Sequence, residues 1–172
     1  QHRRAKHLDR LRSVFNFEGE SPNRYALFIT EEDKRFVGDL LKGCGLQDRE
    51  KFFVVSPGAA NHIKRWTPEG FAQICDRLIE SEKVRVILVG DQKDEAVSSD
   101  VCRLMRHEAV NLSGRTTLRQ LAELLRRSSG ALVNDSAVLH LASYLDVPVA
   151  AVFGPTDPQK YGPWGRRGIV VR

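Results

Sequence analysis

The sequence has neither a Gly-x-Gly-x-x-Gly dinucleotide fingerprint nor a Walker A loop. That excludes the two glycine-rich signatures by which nucleotide-binding α/β proteins are most readily recognised. Cysteine is scarce. Cys44, Cys75 and Cys102 lie far apart and none forms a Cys-x-x-Cys pair, so a zinc site is not expected. An odd number in a domain of ordinary size points to reduced thiols and a cytoplasmic setting. No apolar run approaches the length of a membrane span. Residues 1–12 are basic and polar without an apolar stretch, so no secretory signal is visible. Aromatics make up 8% of the chain, an ordinary share, and no nucleic-acid-binding motif is present. There is no internal repeat and no low-complexity segment.

What remains is a chain of 172 residues, 41% hydrophobic and 28% charged. Those values describe a globular protein with enough material for one real core. The net charge is +5 and the isoelectric point about 9.3. The excess gathers at the ends: Arg3, Arg4, Lys6, Arg10 and Arg12 at one, Lys160, Arg166, Arg167 and Arg172 at the other. Such ends suit a phosphorylated acceptor, an anionic membrane surface or nucleic acid. A solvated charged face explains them equally well.

Residues 1–30 carry no clean period, and Ser21-Pro22-Asn23 reads as a turn. We read 1–30 as a linker and lead-in segment, and 31–172 as the folded unit. Thr30 resembles a helix N-cap followed by Glu31, Glu32 and Asp33, with Phe36, Val37, Leu40 and Leu41 as the apolar stripe and Gly43 and Gly45 as terminators. From Phe52 a regular alternation begins. Strands are expected at 52–55, 84–89, 110–112, 131–133, 148–153 and 168–171. Helices are expected at 68–79, 94–106, 118–127 and 137–145. Thr67-Pro68 is a cap with proline at the first helical position, and Thr117 with Gln120 forms a capping box. Strands alternating with helices of about a dozen residues imply a parallel sheet covered on both faces. The fold class is therefore α/β, doubly wound and Rossmann-like.

In such sheets ligands sit at the carboxyl ends of the strands. Four polar loops fall there: 56–66, 90–95, 134–137 and 154–158. Asp135 and Ser136 have side chains fit to cap the helix that follows, whose exposed N–H groups favour an anion. His140 lies one turn on, as a packed residue or a ligand contact. Gly58, Ala59 and Ala60 form a small-residue loop that lets backbone approach a ligand. Lys64 and Arg65 then add positive charge suited to a pyrophosphate, unless they are surface charge before a helix. Asp91, Asp94 and Glu95 could meet ribose hydroxyls or serve as helix N-terminal charge.

These residues carry a resemblance. S-P-G-A-A-N-H-I-K-R-W-T-P-E-G-F-A, from Ser56 to Ala72, resembles the P-G-A…K-R-W-P…F-A signature of the ADP-heptose:lipopolysaccharide heptosyltransferases, glycosyltransferase family 9. Four more segments follow in the family's order: V-I-L-V-G-D-Q-K-D-E, N-L-S-G-R-T-T-L-R-Q-L-A-E-L-L, L-V-N-D-S-x-x-x-H-L-A and F-G-P-T-D-P. Tyr161-Gly162-Pro163-Trp164 comes next. The match spans nearly all of 52–164.

The resemblance implies the donor-binding, C-terminal half of a GT-B enzyme, truncated at both ends. Such an enzyme moves heptose from ADP-heptose to the lipopolysaccharide inner core, or a lipid A precursor, with inversion. It implies that Lys64, with Gly58, Ala59, Ser136 and Ala137, meets the donor phosphates. Asp135 and His140 would meet the sugar, and Asp94 or Glu95 the nucleoside. No cofactor and no metal are implied, in keeping with the lack of a D-x-D pattern. The catalytic base would belong to the other half. The place of action would be cytoplasmic, with peripheral contact to an anionic membrane. The family usually reads N-D-S-G-P-M-H-L-A; here Ala137-Val138-Leu139 replace Gly-Pro-Met, and the methyl of Ala137 narrows the approach to the phosphates. Rival readings are another GT-B transferase, a nucleotide-sugar epimerase, and a non-catalytic nucleotide- or nucleic-acid-binding domain.

Overall fold

The computed structural model describes residues 27–47, 49–164 and 167–172. The basic cluster at 1–12, the turn at 21–23 and Arg166 lie outside the described residues, as does all but the last part of the expected lead-in.

Helix α1 (Glu31–Gly43) begins at the Thr30 capping box, in which Thr30 and Asp33 bond each other reciprocally. Then come β1 (Phe52–Ser56), α2 (Pro68–Glu82), β2 (Arg85–Leu88), α3 (Glu95–Leu104) and β3 (Val110–Asn111). The second half holds α4 (Leu118–Arg127), β4 (Gly130–Asn134), α5 (Ala137–Tyr144), β5 (Val149–Val152), α6 (Pro158–Tyr161) and β6 (Gly168–Val171). The six strands are ordered β3-β2-β1-β4-β5-β6, and all neighbouring pairs are parallel. The strand order reverses between β1 and β4, so the crevice at their carboxyl ends is the topological switch point.

Alternation along each strand divides the core. Val54, Ala131, Val133, Val149 and Ala151 face the side covered by α1, α4 and α5, where Val37, Leu124, Leu125 and Leu139 complete the packing. Val55, Val86, Leu88 and Leu132 face the other side, filled by Phe71, Ala72 and Cys75 of α2 and Val101 of α3. The expected inner face of α1 needs adjusting at one position. Phe36 is 41% exposed, because Val37 and Leu41 supply the inward stripe of α1. Leu121 of α4 is half-buried: it packs against this core and also lines the cleft described below. Burial pushes the Cys75 thiol up to about 12, so it stays protonated and unreactive.

Asp76 on α2 is a buried carboxylate, 3% exposed. Burial by itself raises its pKa. The N–H groups of Arg106 and His107, each donating at 3.1 Å, and the Arg106 side chain outweigh burial and hold it below the ordinary 3.8. A depressed folded-state pKa gives stability that is present above the unfolded value and is lost as pH falls through the folded one. Asp76→Asn turns an amide toward these donors and is expected to cost about 2–3 kcal/mol at neutral pH. The deficit should shrink as pH falls below about 4, where the unfolded carboxyl takes up a proton while the native one, held lower, stays ionised until the pH falls further. Urea melts at both pH values test this; an equal deficit at each would refute it.

Candidate functional site

Three strand-end loops and one helix terminus enclose a cleft of about 760 Å³. Strand β1 delivers the first loop. A Cβ on Gly58 would fall 2.1 Å from Cγ of Asp94, so only glycine lets the 57–60 backbone lie against that carboxylate. Ala59 offers its carbonyl to Arg65, which donates from Nε at 3.0 Å and Nη2 at 2.8 Å. Arg65 also stands 3.7 Å from Asp94. Its charge is thus spent on shaping the loop, which separates it from Lys64, with which the sequence had grouped it.

Lys64 closes a short 3-10 turn, His62–Lys64, capped by the Asn61 side chain. That turn is held from beneath by Asn134, the fully buried last residue of β4. Asn134 accepts from the Trp66 N–H at 3.0 Å and donates to the Pro57 carbonyl at 2.7 Å. One amide thereby fixes both ends of the 57–66 loop to the neighbouring strand, across the switch point.

Lys64 Nζ lies 2.8 Å from Asp135 Oδ2, and the Tyr161 ring sits 5.8 Å from the same ammonium. The Asp135 side chain is 4% exposed, that of Lys64 28%. Thr156, in the loop after β5, donates to the same Oδ2 at 2.7 Å. Asp135 therefore does not cap α5. Ser136 does not either: it occupies the N-cap position without a side-chain capping bond. The expected capping roles are corrected by the stronger charge-assisted bonds that Asp135 finds across the cleft. Ser136 Oγ is buried and has no hydrogen-bond partner among the described residues. A buried polar atom in that state is costly, and it sits beside first-turn N–H groups that a helix cannot satisfy internally.

The remaining expected residues sort cleanly. Gly58, Ala59, Ser136, Ala137 and His140 line the cleft together with Lys64 and Asp135. Asp94 lines it too, while also accepting from the Asp91 N–H at 3.2 Å in the capping box of a second 3-10 turn. Glu95 is not among the lining residues; it accepts from Gln92 at 2.7 Å on the exposed side. The helix begins at Glu95, one residue after the expected start. Thr156 and Asn134 were not singled out from the sequence, although both stand in loops expected on the ligand side and in the segments F-G-P-T-D-P and L-V-N-D-S. What the local pattern does not show is their long-range bonds to Asp135, Trp66 and Pro57.

Comparisons with known proteins agree on one family. The model for glycosyltransferase family 9 (heptosyltransferase) matches residues 7–172. Lipooligosaccharide heptosyltransferase 2 of Haemophilus influenzae is 31% identical over 121 residues, covering 67% of this chain and 35% of that protein. Lipopolysaccharide heptosyltransferase 2 of Escherichia coli is likewise 31% identical, covering 67% of this chain and 34% of its own length. Among solved structures, a family 9 glycosyl transferase from Veillonella parvula superposes with a TM-score of 0.88 at 24% identity, over 99% of this chain and 49% of that one. The E. coli ADP-heptose heptosyltransferase II gives 0.74 at 26% identity, over 85% and 44%. The chain spans about a third of the length of the curated relatives it matches. It belongs to glycosyltransferase family 9, the heptosyltransferases.

Proposed function

We propose that this chain is the nucleotide-sugar-binding half of a GT-B heptosyltransferase, which takes heptose from ADP-heptose and inverts the anomeric centre onto a lipopolysaccharide core hydroxyl. One observation carries the reading. Lys64, the buried hydroxyl of Ser136 and the N-terminus of α5 converge on a single cleft at the switch point.

The chemistry asks for that convergence. As the glycosidic bond to ADP breaks, negative charge accumulates on the departing diphosphate, and preorganised donors lower the barrier. The ammonium of Lys64, the Ser136 hydroxyl and the N–H of Ala137 supply such donors, backed by the loop at Gly58 and Ala59. In this reading Asp135 and His140 meet the sugar and Asp94 the ribose, supported by the lining of the cleft, which all three share.

Replacing Lys64 by alanine is expected to weaken ADP binding by about 1–3 kcal/mol, the worth of a charge-assisted contact. Titration calorimetry on the chain and the variant measures it. Unchanged affinity would remove Lys64 from the phosphate site.

A further inference from the structure

The ion pair at the heart of the cleft raises a question of electrostatics. Lys64 cannot serve a diphosphate fully while it remains bonded to Asp135. If it turns to the phosphates, a carboxylate that is 4% exposed loses its counter-charge. A buried charge without partners is unstable and takes up a proton instead. Something else must hold Asp135 ionised.

Thr156 is placed to do so. Its hydroxyl donates to Oδ2 at 2.7 Å, the same oxygen that Lys64 reaches at 2.8 Å. Its loop also rests on the Lys64 turn: a Cβ added to Gly154 would lie 2.8 Å from the Ile63 carbonyl. The Asp135 N–H is bonded to the Val152 carbonyl of β5, so the carboxylate and the strand leading to Thr156 share a backbone bond. The charged and titratable groups around this one are Lys64 after β1, His140 on α5 and Tyr161 on α6. Arg65, Lys93, Asp91 and Asp94 line the same cleft.

We propose that Thr156 is a positioning residue, which keeps Asp135 an ionised acceptor for the donor sugar when Lys64 moves to the diphosphate. Lys64 then exchanges one anion for another, and Asp135 gives up the ammonium while keeping the hydroxyl it already accepts from. No proton is gained or lost at Asp135. This inference rests on the nucleotide-sugar reading above.

The test is calorimetry with ADP, in buffers of differing ionisation enthalpy, between pH 6 and 8. Wild-type protein, Thr156→Val, Thr156→Ser, Lys64→Met and the Lys64→Met/Thr156→Val double variant are compared. The ligand is common to all five proteins and Thr156 bonds Asp135 directly, so differences between the wild type and the two Thr156 variants report that contact. Thr156→Val should bind ADP about tenfold more weakly at pH 8, the loss of one hydrogen bond to a charged group. Its binding should take up additional protons relative to wild type, and the gap should close as pH falls. Thr156→Ser should restore both wild-type values. Adding Thr156→Val to Lys64→Met should add no proton uptake, because Lys64 no longer leaves Asp135 on binding. Wild-type affinity and proton balance in Thr156→Val would overturn the role, as would failure of serine to restore them. Absence of ADP binding by the wild type would instead bring down the nucleotide-sugar reading, and this inference with it.

Discussion

Mixed with ADP-heptose and a deep-rough lipopolysaccharide acceptor, the 172-residue chain is expected to form no heptosyl product, even while it binds ADP. Every group placed near the donor comes from one edge of one sheet. The acidic side chains of the cleft are already engaged. Asp135 is held by Lys64 and Thr156, and Asp91 and Asp94 cap a turn. None is poised to take a proton from an acceptor hydroxyl. Holding two reactants in register is worth on the order of 7–11 kcal/mol in favourable cases, or roughly five to eight decades of rate. A surface that grips only the donor forgoes most of it. The matched stretch is about a third of each curated relative, which leaves room in those proteins for a second surface. Mass spectrometry of the lipid product decides the matter. Stoichiometric transfer that disappears in Asp135→Ala would show that the base lies within these residues.

The second large effect is structural. Phe71, in the first turn of α2, is fully buried between the helix and the sheet. Its ring meets Trp66 edge-on, with centroids 5.3 Å apart and planes at 61°. Trp66 in turn lies so close over Gly70 that a Cβ there would come within 2.4 Å of the indole. The loop that carries Lys64 is therefore seated on Phe71 through Trp66. Phe71→Ala is expected to cost about 3–5 kcal/mol, a large part of the roughly 5–15 kcal/mol by which such domains are stable. Phe71→Leu should cost under about 1.5 kcal/mol. Denaturant midpoints give both numbers, and Trp66 emission should shift in the alanine variant before global unfolding. A Phe71→Ala protein as stable as wild type would show that the ring does not anchor the loop.

What could be foreseen followed from local chemistry. The helix at 118–127 matched its expected bounds because Thr117 and Gln120 close a capping box and Ser128 ends the run. Thr67-Pro68 announced α2 in the same way. The cleft was legible as a set of loops, since strand ends must share one edge of a parallel sheet. The partners within it were not. Lys64 and Asp135 are 71 residues apart, and Asn134 and Pro57 are 77 apart. Nothing in a local pattern says that β4 lies beside β1 rather than β3. That adjacency is a property of strand order, and it alone turns Asn134 from a turn residue into a brace. Glu95 shows the opposite limit: it adjoins Asp94 in the sequence, yet it bonds Gln92 and does not line the cleft.

The cleft is stoppered by its own charges. An incoming anion does not meet a bare ammonium; it meets Lys64 already neutralised by Asp135. Opening that pair is a fixed toll, the same for every ligand, so a small anion with one weak contact recovers little of it. A diphosphate followed by a sugar recovers it twice, once at the ammonium and once at the released carboxylate. On the reading proposed above, preference for a whole nucleotide sugar over inorganic phosphate or a mononucleotide comes from how much of the toll each ligand recovers, since the toll itself is common to all and cancels between them.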